Sequence, residues 1–193
     1  MLQIKRSKTE EKLIAACRKG DSKAQREVYD KYSPLMFSVC RRYIGQADAA
    51  EDVLICGFTK VFQKIDQFKG DGSFEGWIRR IMVNESLSHI RKNKSMYLEV
   101  EIEKAEREPD FGMLAGQLEA EDLQKLIDRL PSGYKTVFNL YAIEGFSHKE
   151  IADKLEISEN TSKSQLSRAR KHLQTMLIET ENYLNDKALS YEG

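Results

Sequence analysis

Between Ser158 and Lys171 the chain places short hydrogen-bonding and cationic side chains at close intervals: Asn160, Thr161, Lys163, Ser164, Gln165, Ser167, Arg168 and Lys171. At about 100° per residue of ideal helix, Asn160, Thr161, Ser164, Arg168 and Lys171 share one side, with Lys163, Gln165 and Ser167 on its flanks. The chemistry open to such a stripe is recognition, because base edges are read by hydrogen bonds and phosphates by Lys, Arg and helix N-termini. A second row, Trp77, Arg80, Asn84, Arg91 and Lys92, offers one aromatic ring, one amide and three cations. That set suits extruded bases, which stack on aromatic rings while cations follow the backbone. For Trp77 the plainer reading comes first: it shares an apolar stripe with Phe74 and Ile81 and anchors a core. Covalent catalysis has no counterpart in the sequence. There is no glycine-rich phosphate loop, no metal-spaced His/Cys/Asp/Glu set and no nucleophile with a plausible base, so neither an enzyme nor a cofactor is expected.

The elements that must hold the first row are legible. Ser147 with Glu150 forms a capping box for a helix whose apolar face is Ile151 and Leu155, with small Ala152 admitting a close neighbour. Glu156-Ile157-Ser158 interrupts the pattern, and Ser158 caps a longer helix with the apolar stripe Leu166, Ala169, Leu173, Met176 and Leu177. This is helix-turn-helix spacing. Upstream, helices are expected over Leu123 to Leu130 and from Ser132 to Gly145. Beyond Leu177 the helix should run on for a turn or two and fray.

The first half reads as five helices. Ser7 with Glu10 opens one and Asp21 a second; Ser33-Pro34 opens a third with Leu35, Val39, Cys40 and Tyr43 inward. Asp48 with Glu51 caps a fourth, carrying Val53, Leu54, Phe58, Val61, Phe62 and Ile65, and Ser73 caps a fifth from Phe74 to about Lys92. Cys17, Cys40 and Cys56 are odd in number, far apart and set among apolar residues, and are expected to be buried thiols. His89 follows Glu85 by one turn as a surface pair, and His148 and His172 are isolated from it.

The 193 residues carry 31 basic and 31 acidic side chains, so no bulk positive field points to nucleic acid. Their distribution does. Arg79 to Lys94 holds five bases against Glu85 alone, and Glu99 to Asp122 holds nine acids against Lys104 and Arg107. Pro109, two glycines and weak periodicity make Met96 to Gly116 a flexible connector. The expected fold is all-α: a helical bundle over 1–94, an acidic flexible linker over 95–121, and a helix-turn-helix domain over 122–193. No stretch approaches the roughly 20 apolar residues of a membrane span, and the N-terminus lacks the apolar core of a signal peptide. A cytoplasmic location with no membrane insertion is expected.

Taken in order, these segments resemble a bacterial RNA polymerase sigma factor of the extracytoplasmic-function type. The resemblance rests on Asp48-Ala49-Ala50-Glu51-Asp52-Val53 with Phe58, Val61 and Phe62, then on Gly72 to Ile81 and Asn84 to Lys92. It continues through Leu130-Pro131, Tyr134 to Ser147, and Glu150-Ile151-Ala152 to Arg170. It implies two helical domains, corresponding to regions 2 and 4 of that family, that bind core RNA polymerase and promoter DNA, with an anti-sigma factor as a further partner. The fourth helix, with Asp48, Glu51, Asp52 and Phe58, would dock on the polymerase clamp. The fifth, with Trp77, Arg80, Asn84, Arg91 and Lys92, would engage the −10 element and its melted strand. The last, with Thr161, Lys163, Ser164, Ser167, Arg168 and Lys171, would read the −35 element. Departures from the family pattern fall at Ile55-Cys56, usually Gln-Glu; at Glu156, usually Gly; at Ser162, usually apolar; and at Gln165, usually Arg. Two other readings stand beside this one: a helix-turn-helix regulator whose first domain senses a ligand or dimerises, and a sigma-like protein that no longer reads DNA.

Overall fold

The computed structural model describes residues 8–92 and 120–189, and every regular element among them is helical. The Ser7 cap and nearly all of the 95–121 linker lie outside the described residues. The chain divides into two compact units, Met1–Asn93 and Lys94–Gly193.

In the first unit α1 spans Lys8–Arg18 and α2 Ser22–Tyr43. Gly20, at φ +78°, ends α1: its N–H bonds the Cys17 carbonyl while the Asp21 N–H reaches Ala16, satisfying two orphan carbonyls. Asp21 then caps α2 by accepting from the N–H groups of Lys23 (2.8 Å) and Ala24 (3.1 Å). Pro34 does not open a new helix, contrary to expectation; it lies inside α2. An internal proline costs about 3 kcal/mol, because its N–H is missing and its ring crowds the carbonyl four residues back. Here Pro34 is exposed, while Val28, Tyr32, Met36, Val39, Cys40 and Tyr43 bury one continuous stripe past it. Packing therefore outweighs the break, and the true phase puts Met36 inward and leaves Leu35 40% exposed.

Helix α3 spans Ala47–Gln63 and α4 Phe74–Lys92, with a 3₁₀ turn at Ile65–Gln67 between them. The N-cap of α3 is Gln46, without a side-chain bond, and Asp48 sits in the first turn, where a carboxylate favours the helix dipole rather than capping it. Ser73 does cap α4, its Oγ accepting from the Gly76 N–H at 3.0 Å. Helix α4 packs on both α2 and α3, so it buries Met82, Val83 and Ser86 as well as the expected Phe74, Ile78, Leu87 and Ile90. Gly57 lets α3 and α4 approach: a Cβ there would stand 2.3 Å from the Met82 Sδ.

The second unit has α5 at Ala120–Asp128, α6 at Ser132–Phe138 continuing into a π turn at Asn139–Ile143, α7 at His148–Leu155 and α8 at Glu159–Leu189. Helix α5 starts two residues before the expected linker ends, and α8 runs three turns beyond Leu177, further than the turn or two expected. The core is Leu126, Ile127, Leu130, Val137, Phe138, Leu140, Ile151, Leu166, Ala169, Leu173 and Leu177. The helix expected to run evenly to Gly145 is interrupted by this π turn, on which Tyr141 is 37% exposed.

Candidate nucleic-acid interface

The turn between α7 and α8 is built as the sequence suggests. The Ser147 N–H donates to Glu150 Oε2 (2.9 Å) while Ser147 Oγ accepts from the Glu150 N–H (3.3 Å), a complete capping box. At the other end Glu156 takes the left-handed conformation, φ 58° and ψ 43°, and its N–H bonds the Ala152 carbonyl. A non-glycine residue held there costs roughly 1 kcal/mol. Glu156→Gly should accordingly stabilise the second unit, raising Tm by about 4 °C in a melting experiment; an unchanged or lower Tm would show that the turn carries no strain. Ser158 Oγ accepts from the Thr161 N–H at 3.0 Å and starts α8.

On α8 the buried side is Ser162, Gln165, Leu166, Ala169, Leu173 and Leu177. Opposite it Asn160, Lys163 and Lys171 are exposed, and Thr161, Ser164, Ser167 and Arg168 are half-buried. All six residues expected to face the −35 element thus lie outside the core. Gln165 does not flank that face: it is 6% exposed against Gly133, and its Oε1 has no hydrogen-bond partner among the described residues. At 140° from Asn160 around the ideal helix, it belongs with Ala169 rather than with Lys171. Ser162 is fully buried, and its Oγ lies 2.9 Å from His148 Nδ1. His148 is thus part of the domain's packing, stacked on Tyr141 with ring centroids 4.7 Å apart. His172 likewise meets a ring, Tyr134, at 5.5 Å.

In the first unit Trp77, Arg80, Asn84 and Arg91 recur at i, i+3, i+7 and i+14, one face of α4. Arg80, Asn84 and Lys92 are exposed and Arg91 half-buried. Trp77 is both anchor and surface: half-buried, it stacks on Phe74 (5.8 Å, 13°) and leans on Phe68 (5.5 Å). Ser88, one turn after Asn84, belongs to this face and was missed. Its hydroxyl donates to the Asn84 carbonyl (2.9 Å) and accepts from Arg91 Nη2 (3.2 Å), holding the guanidinium along the row. The i+4 spacing from Asn84 was the available signal. Glu85 pairs with Lys60 of α3 (2.6 Å).

A third face belongs to α3. Asp48, Glu51, Asp52, Ile55, Cys56 and Thr59 are all exposed, at the i, i+3, i+4, i+7, i+8 and i+11 positions of one stripe. Phe58 is not on it: 2% exposed, with Tyr29 at 4.8 Å and Phe62 at 6.1 Å, it supports the face from beneath. Ile55, 51% exposed, gives an otherwise acidic surface an apolar centre.

Cys56 is exposed, contrary to expectation, because it falls on this stripe; Cys17 and Cys40 are buried. Burial pushes the Cys40 thiol up to about 11, against a smaller opposing effect of its Ser86 hydrogen bond, and burial with Asp21 and Glu27 nearby raises Cys17. Since the thiolate is the nucleophile, a thiol titration of the folded protein near pH 8 should show one fast site and two at least about 100-fold slower. Cys56→Ser should abolish the fast phase; its persistence would mean a buried thiol is accessible.

Among the described residues no group of three His, Cys, Asp or Glu could hold a metal ion, and no helix is long and apolar enough to cross a membrane.

Residues 28–96 match a family profile described as Sigma-70 region 2, and residues 120–173 one described as Sigma-70, region 4. The chain is 30% identical over 178 residues to the ECF RNA polymerase sigma factor SigW of Bacillus subtilis, covering 86% of this chain and 95% of that one. It is 28% identical over 187 residues to the RNA polymerase sigma-H factor of Pseudomonas aeruginosa, covering 88% and 96%. Among solved structures, the sigma factor RpoE of Bartonella quintana, in complex with the anti-sigma factor NepR, aligns with a TM-score of 0.47 at 25% identity, covering 80% of this chain and 96% of that one.

Proposed function

The chain belongs to the sigma-70 family of RNA polymerase sigma factors, in its extracytoplasmic-function branch, and directs the polymerase to promoters; from that premise we propose which residues perform each part of the task. Helix α3 docks on core polymerase through Asp48, Glu51, Asp52 and Ile55. Helix α4 engages the −10 element and its opened strand through Trp77, Arg80, Asn84, Arg91 and Lys92, with Ser88 fixing Arg91. Helix α8 reads the −35 element through Thr161, Lys163, Ser164, Ser167, Arg168 and Lys171. The observation that carries this reading is that each of the three helices turns one continuous face away from a filled apolar core, acidic with an exposed Ile55 on α3 and largely polar or cationic on α4 and α8.

Opening a duplex costs a few kcal/mol per extruded base, and stacking on an aromatic side chain returns about 1–3 kcal/mol. Trp77 is suited to that because Phe74 and Phe68 already fix its ring. The subunit does no covalent chemistry; its work is binding that is stronger to the opened promoter than to the closed one. An anti-sigma factor as partner remains part of the proposal, as does the acidic segment 95–121 as a tether between the units.

A gel shift tests the whole. The isolated chain should bind promoter duplex weakly, and core polymerase should convert that into sequence-specific open complexes. A helix-turn-helix regulator would instead bind its operator unaided. A sigma-like protein that had lost DNA reading would bind polymerase and open nothing; burial of Ser162 and Gln165 speaks against it, since neither altered residue lies on the face meant for DNA.

A further inference from the structure

The first turn of α8, the end that would enter the groove, has little apolar material to hold it. Ser158, Glu159 and Asn160 are exposed and Thr161 is half-buried, so Ser162 is the first residue of the helix to reach the interior. What it meets there is an imidazole. His148 is the first residue of α7, and its Nδ1 lies 2.9 Å from Ser162 Oγ. The ring cannot swing freely, because it is stacked on Tyr141 at 4.7 Å and 24°. Tyr141 in turn carries the guanidinium of Arg170, 5.8 Å from the ring centroid. Ser162 and Arg170 are both on α8, about 12 Å apart along its axis at 1.5 Å per residue. One stack of two rings, rooted in the π turn and the start of α7, thus grips α8 at two points.

We infer that His148 and Ser162 are a positioning pair for the −35-reading helix, a directional hydrogen bond fixing the angle of its first turn where apolar contact would otherwise do so. This rests on the assignment of α8 to the −35 element. An apolar side chain at position 162 would resist separation of the helices while tolerating small rotations, since dispersion contacts are non-directional. A hydrogen bond loses strength once its angle departs from linear, so it specifies orientation as well as contact. Neither residue touches DNA in this scheme. They act through Thr161, Lys163 and Ser164, which lie within two residues of Ser162.

The test is run-off transcription by holoenzyme reconstituted with full-length variants, on a promoter recovered from genomic DNA and on the same promoter with its upstream element replaced. His148→Ala and Ser162→Ala should each lower initiation from the intact promoter about fivefold, the effect of one buried hydrogen bond. Both should leave the replaced promoter unaffected. The double variant should be no worse than either single one, because the two residues share one interaction. His148→Asn, whose amide nitrogen can stand near the position of Nδ1, should recover most of the loss. Additive losses, equal losses on both promoters, or an asparagine variant no better than alanine would overturn the pair. Wild-type transcription matched by all variants would overturn it alone. A wild-type holoenzyme that makes no promoter-dependent transcript would instead remove the promoter reading, and the inference with it.

Discussion

Asp52→Lys is expected to abolish stable assembly with core RNA polymerase while leaving the protein folded. Asp52 is exposed on α3 between Asp48 and Ile55, so its replacement empties no cavity and breaks no packed contact. The change is two charge units at the centre of the stripe assigned to docking. At 4 Å in the dielectric of a protein surface, one unit pair is worth about 4 kcal/mol, and like charges brought together across an interface cost several kcal/mol. Even half of one such unit pair, about 2 kcal/mol, raises Kd by about 30-fold. Co-elution with core polymerase, or competition against a labelled sigma factor, would measure it. Glu27→Lys, an equal reversal at an exposed position of α2 away from the stripe, serves as the control and should bind as wild type. If both variants bound equally well, α3 would not be the docking helix.

The same face shows what the sequence could and could not reveal. The family resemblance named Asp48, Glu51, Asp52 and Phe58 together, and the first three share an exposed side of α3. Phe58 does not join them, since helical spacing already set it among the inward residues, whereas Cys56 departs from the burial its apolar neighbours suggested. Sequence spacing gives the phase of a helix but not how far the core reaches around it. With α2 and α4 both packed on α3, the buried arc is wide enough to take in Phe58, while Cys56 falls just beyond its edge. Pro34 is a related case. Its local preference for a helix start is real, but the stripe from Val28 to Tyr43 passes it unbroken, and burial of that stripe outweighs the break.

In the second unit the local chemistry was legible because it is local. The Ser147–Glu150 box and the Ser158 cap each involve residues within a few positions of one another. What was not legible is anything that depends on a second helix. Gln165 is a separate case: set on the flank of the reading face, it stands 140° from Asn160, an angle that already favours the core side, and it faces Gly133 of α6. His148 looked isolated because its partner is 14 residues away and its stacking ring lies in a π turn. Periodicity at 3.6 residues cannot anticipate a turn that departs from that period.

Arg168→Ala is expected to lower initiation from promoters with an intact −35 element about tenfold, without a change in affinity for core polymerase. Arg168 lies on the outer side of α8, between Ser164 and Lys171, and is half-buried. A bidentate contact from such a group to a base edge is worth about 1–3 kcal/mol of discrimination. A contact to phosphate would instead weaken binding to all sequences alike and lower the salt slope by about one. The two roles separate cleanly: the base role loses preference at one promoter position, and the phosphate role keeps every preference while losing salt dependence. Transcription across a set of single-base −35 variants, repeated at two salt concentrations, decides between them. A variant that initiates like wild type under all of these conditions would remove Arg168 from the interface. A variant that loses core binding as well would mean that α8 contributes to polymerase docking and that the division of labour among the three faces is wrong.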